Sequence, residues 1–175
     1  MQHFRKHLTA CMIRLLLSEL LCLVLAFSFA ILRASLLTEM LSLLCGMLAH
    51  IPLIGNCACD IADSDASHSH SEQHTVRKPI LLAAALMLPA YLSYLILFFQ
   101  AESILWLNLF PLLNAPFLPV YRLLIAGTEP FSAISQTRRI LMLLPPLITG
   151  ISFFAAYRVR LITRKARADA IRSRK

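Results

Sequence analysis

Residues 80–99 read ILLAAALMLPAYLSYLILFF, twenty residues without a single charge. A helix of that length rises about 30 Å, the thickness of a bilayer's hydrocarbon core. Residues 140–157, ILMLLPPLITGISFFAAY, are equally free of charge. Where no water is present the backbone must hydrogen-bond to itself, so both stretches predict helices rather than isolated strands. Pro89 and the Pro145-Pro146 pair remove backbone donors and predict a kink in each.

Composition extends this reading to the whole chain. Of 175 residues 58% are hydrophobic and 15% charged, with a mean hydropathy of +0.70. A soluble domain averages about 45–50% apolar and about 25% charged. The departure excludes a disordered chain, a secreted disulfide scaffold and a typical cytosolic enzyme. It leaves no room for a separate soluble catalytic domain. The net charge of +8 is also localised: from Arg158 onward there are eight basic residues and one acid, Asp169. The high pI therefore describes a basic appendage on a nearly neutral body, and nucleic acid is not an expected partner. The five cysteines are an odd count, and Cys11, Cys22 and Cys45 lie in apolar surroundings as small hydrophobes.

Three further apolar stretches occupy 12–32, 36–55 and 104–126. Arg5, Lys6 and Arg14 precede an apolar run ending at Ser28-Phe29-Ala30, which superficially matches a cleavable signal. Glu19 interrupts that run and another apolar stretch follows at once, so an uncleaved first span is expected. Leu44 stands where a lipoprotein site before Cys45-Gly46 needs a small residue. Only Arg33, Ala34 and Ser35 separate the first two stretches. A single helix over 9–48 competes with a pair, but it would be about 60 Å long, twice the hydrocarbon thickness. The stretch 104–126 is different in kind. Pro111, Pro116 and Pro119 break it, which predicts a re-entrant or interfacial element packed against protein.

Charge decides the sidedness. With 12–32, 36–55, 80–99 and 140–157 spanning and the N-terminus inside, 13 of the 17 basic residues lie on the inner side. A fifth span would force the basic tail outward. The expected architecture is thus an all-α integral membrane protein with about four transmembrane helices plus a Pro-broken segment. Its parts are a helical hairpin with a basic flank (1–55), a polar loop (56–79), a bundle (80–157) and a basic cytoplasmic tail (158–175). A bacterial plasma (inner) membrane with both termini cytoplasmic fits the charge pattern.

Chemistry-bearing residues fall into three groups. Cys57, Cys59, His68, His70 and His74 lie in the 56–79 loop among four carboxylates. Cys-x-Cys and His-x-His pairs of mixed thiolate and imidazole suit a transition-metal ion such as Zn, Cu, Ni or Co, against the plainer reading of a solvated loop. Glu19, Glu39, Asn108, Asn114 and Arg122 are polar groups inside apolar stretches, where burial is costly and a polar path is the functional reading. The plainer alternative is snorkelling and interhelical pairing, including an Arg33–Glu39 pair; Glu19 has no partner evident from sequence. Ser18, Cys22, Ala26, Ala30 and Ala34 recur every four residues and form a shallow ridge for close helix approach, within the bundle or between copies. Gly150, Ser152 and Ala156 repeat it in shorter form. The tail's basic residues are expected to orient the chain and meet anionic lipid headgroups.

Catalytic signatures such as H-E-x-x-H, G-x-S-x-G and glycine-rich phosphate loops are absent, and there are only four glycines. The expectation is a non-enzymatic accessory or scaffold subunit acting through helix packing, on itself or in a larger membrane complex. The alternative is a transporter or metal-handling component using the Cys/His loop. Intramembrane catalysis by Glu19 or Glu39 ranks below both.

Overall fold

The computed structural model describes residues 2–32, 35–68, 77–125 and 130–172, and among these the regular structure is all helical, with no strand. The helices are α1 (Gln2–Ala30), α2 (Leu36–His68), α3 (Arg77–Phe99), α4 (Ile104–Leu112), α5 (Leu118–Ile125), α6 (Gln136–Leu141) and α7 (Pro145–Arg172). Single 3-10 turns lie at Ala115–Phe117 and Phe131–Ala133. Among the described residues, four helices are long and apolar enough to cross a membrane, the last counted with α6 joined to α7.

The first two stretches are separate helices, as expected. The break has a sequence cause besides length: Ser35 and Thr38 cap the start of α2 reciprocally. The Ser35 amide donates to Thr38 Oγ1 at 2.9 Å and the Thr38 amide to Ser35 Oγ at 3.2 Å. This is the arrangement of a capping box with Thr in place of the usual acid. The chain passes the two proline sites differently. α3 runs through Pro89 as one helix, whereas the chain leaves helical geometry between α6 and α7, and Pro145 opens the new helix at the position where its missing N–H costs nothing. Tyr91 of α3 donates to the Leu143 carbonyl at that break, at 3.2 Å, and Tyr94 to the Arg139 carbonyl at 3.1 Å.

One expectation is overturned. Residues 56–68 are not a polar loop but the continuation of α2. Ile54, Cys57, Ala58, Ile61 and Ala62 are all buried, and their spacing is that of one helical face. The acidic residues between them occupy the flanks, where they meet cations on other helices. Ser and Asp composition predicted a flexible loop; the apolar period running beneath it decided the structure.

α2 is the central element. α1 packs antiparallel on one side of it, α7 on the other, and α3 lies against α7. The small-residue ridge of α1 does its packing inside this bundle: Ser18, Cys22 and Ala26 are buried, and Cys22 Sγ lies 3.4 Å from the Gly46 carbonyl of α2. Ala30 is exposed, and Ala34 lies outside the described residues. On the other side, a Cβ at Gly55 would lie 3.6 Å from that of Ala156, and one at Gly150 would lie 2.6 Å from Met87 Sδ. Close approach of α7 to both α2 and α3 thus uses the shorter ridge.

The Pro-rich segment is broken as expected. α4 and the stretch 115–125 meet at 95°. Asn114 at the corner donates through Nδ2 to the Phe110 carbonyl at 2.8 Å and to Ser93 Oγ of α3 at 3.0 Å. The turn Ala115–Phe117 is buried against α1 and α2. A second cluster, Phe110, Phe117, Tyr121, Phe131 and Met142, packs this segment into the bundle.

Candidate functional site

Three polar arrangements occupy different heights of the bundle. The central one crosses three helices. His50 of α2 is fully buried, with Nδ1 2.7 Å from Ser18 Oγ of α1 and Nε2 2.8 Å from Thr149 Oγ1 of α7. A neutral imidazole donates through one nitrogen and accepts through the other, so the two hydroxyls take opposite roles and the chain closes. The edge of Phe117 packs on the same ring, with centroids 5.8 Å apart. Sequence reading passed over this trio because its members are 32 and 99 residues apart.

Beside it, Glu19 finds a partner the sequence did not reveal. The Ala115 amide donates to Glu19 Oε2 at 2.8 Å. Pro116 and the corner at Asn114 turn that amide out of any helical ladder, leaving it available to a side chain. Glu19, Asn114 and Thr149 are the polar members of a cavity of about 430 Å³, whose other walls are Leu, Met, Pro, Ala and Phe side chains of α1, α3, α4 and α7 and the 3-10 turn.

The five polar candidates therefore do not form one path. Glu19 and Asn114 share this cavity. Glu39 and Arg122 line a small one of about 90 Å³ and pair across it at 3.5 Å, while Asn108 and Arg122 border a third. Glu39 is thus matched by Arg122 of α5, and Arg33, the expected partner, lies outside the described residues.

The third arrangement ties the helix ends together. Asp63 receives a bidentate contact from Arg160, at 2.9 and 2.8 Å, and a further bond from Arg164 at 2.8 Å. Asp65 accepts from Tyr157 at 2.8 Å and from Lys78, with His7 4.0 Å away. The start of α1, the end of α2, the start of α3 and the polar half of α7 consequently lie at one end of the bundle. The inner part of the expected basic tail continues α7 as a helix, held to α2 through Asp63.

The Cys/His metal group is not assembled by α2. In a helix residues i and i+2 point to opposite sides. Cys57 accordingly faces α1, its sulfur 3.8 Å from that of Cys11, while Cys59 approaches the Ala156 carbonyl of α7 at 4.0 Å. Among the described residues no group of three His, Cys, Asp or Glu side chains is placed to hold a metal ion. His68 closes α2, and His70 and His74 lie outside the described residues.

Comparison with protein-family models, with curated proteins and with solved structures finds no match for this chain. Its own geometry therefore has to carry any functional reading.

Proposed function

We propose that the chain is an integral membrane protein of four spans, with both termini on the cytoplasmic side of a bacterial inner membrane. It acts there as a non-enzymatic accessory or scaffold subunit. The observation that carries this reading is the contrast between inside and outside. Polar groups at mid-bundle close on one another, as in Ser18–His50–Thr149. The outer faces present large apolar side chains such as Leu16, Val24, Phe27, Leu88 and Leu95, all about half exposed or more. A soluble monomer rarely exposes a contiguous apolar area larger than a few hundred Å²; lipid or a companion helix removes that cost. The shared end of the helices carries Arg14, Lys78, Arg158 and Arg160, the pattern of an inward-facing surface.

The subunit reading is tested by crosslinking in native membranes followed by extraction in a mild detergent. A stoichiometric companion that survives purification supports it. A chain that elutes alone, and whose deletion leaves every membrane complex unchanged in size, overturns it. Protease or maleimide labelling of spheroplasts tests the orientation: both termini stay protected until the membrane is opened.

A second reading, handling of a membrane-soluble ligand, is favoured by one observation, the cavity at Glu19 with its mixed polar and apolar lining. Metal handling by the Cys/His residues would now have to rest on the histidines, since Cys57 and Cys59 diverge.

A further inference from the structure

The cavity beside Glu19 has features that packing alone does not require. Its volume of about 430 Å³ falls within the usual range of small-molecule pockets, about 300–1,000 Å³. Leu16, Leu20 and Leu113 are lining residues that are also about half exposed or more, so the cavity opens on the apolar outer surface. Of its polar lining residues, Asn114 and Thr149 are buried and Glu19 is half-buried. Thr149 is committed to His50, and the Asn114 amide donates to Phe110 and Ser93. The Glu19 carboxylate accepts one bond, from the Ala115 amide through Oε2. Among the described residues, no cation pairs with it.

A carboxylate facing an apolar cavity is costly to keep ionised without a countercharge. A hydrocarbon tail would fill the volume but leave the acceptor unanswered. A molecule with an apolar body and one cationic donor answers both. We infer that the cavity is a binding site for a lipophilic amine, with the ammonium on Glu19 and the hydrocarbon along the apolar wall toward Leu16 and Leu20. The Ala115 amide holds one carboxylate oxygen and leaves the other for the ligand. The break at Asn114 is what makes the site: a continuous helix would keep the Ala115 amide in its own ladder. This inference rests on the membrane reading, since the entrance lies on the face assigned to lipid, and it does not depend on any companion protein.

The test uses the full chain in phosphatidylcholine nanodiscs with radiolabelled dodecylamine as probe, corrected for uptake by empty discs. Dodecanol and dodecanoate serve as competitors. Saturable dodecylamine binding is expected, weakened about tenfold or more by Glu19→Gln, since loss of one partner of a desolvated charge pair carries a large cost. Ala90→Phe, which fills the cavity and keeps Glu19, is expected to abolish binding; it also serves if the Glu19→Gln chain fails to fold. Glu102→Gln, at an exposed carboxylate outside the cavity, is expected to bind as the parent does. Equal binding by the parent, Glu19→Gln and Ala90→Phe chains overturns the inference, as does equal competition by dodecanol. Because the isolated chain is used, loss of this result leaves the subunit reading standing, and absence of a companion leaves this result standing.

Discussion

His50 Nε2 lies 2.8 Å from Thr149 Oγ1, joining the middle of α2 to the first turns of α7 across 99 positions of sequence. Its other nitrogen reaches Ser18, so one buried ring fixes the relative height of three helices. Purely apolar faces can slide by a turn with little loss. A hydrogen-bonded ring sets one register, because any shift strands a polar atom without a partner.

Replacing His50 by Leu should remove that register without leaving a buried ring nitrogen unpaired, whereas Thr149→Val leaves Nε2 unsatisfied. We expect Thr149→Val to cost about 1–3 kcal/mol, and the double variant to cost less than the sum of the two single changes. Unfolding in mixed detergent and SDS measures both, and additive losses would show that the two side chains are not coupled.

Cys11 and Cys57 should join under mild oxidation. Their sulfurs are 3.8 Å apart and neither cysteine is bridged, so closure to a disulfide of about 2.05 Å requires only a small shift. Peptide mapping after oxidation should find the bond within one chain, and Cys57→Ser should abolish it. A bond from Cys57 to Cys59 would contradict the helical course of α2 through these residues, and a bond to a second chain would contradict its packing against Cys11 of α1.

Gly150 should tolerate Ala far better than Leu. The nearest atoms a Cβ there would meet belong to the Met87 side chain, at 2.6 Å from Sδ, and a flexible methionine can turn aside. Leu drives further into α3 and should cost about 1–3 kcal/mol through overpacking. Thermal melting of the purified variants separates the two; equal losses would mean that α7 and α3 do not approach as closely as described.

Asp63→Asn should have a small effect on global stability and a larger one on the end of α2. Its partners Arg160 and Arg164 are partly exposed, and such pairs contribute little, less still in high salt. The last turns of α2 depend on these contacts, since their acidic residues otherwise favour solvent. Amide exchange across 60–68 should therefore accelerate while that of α3 stays unchanged.

Much of the architecture is legible along the chain. The uncharged runs at 80–99 and 140–157 predict long helices on the expectation that no water meets their backbone, and α3 and α7 cover most of both. The prolines between 111 and 119 require a break, since each lacks the donor a helix needs. Even the helical end of α2 was written in the spacing of Ile54, Cys57, Ala58, Ile61 and Ala62, beneath a composition that points to a loop.

What sequence alone left undetermined is pairing over distance. Whether Glu19 meets a cation, a proton or an amide depends on where the Pro-broken segment folds back, and Ala115 is 96 residues away. Arg122 rather than Arg33 stands against Glu39, and Cys57 turns to Cys11 rather than to Cys59. Apolar period and proline chemistry are local forces that each residue carries with it. The polar contacts depend on the relative height and rotation of helices, which only the packed bundle sets.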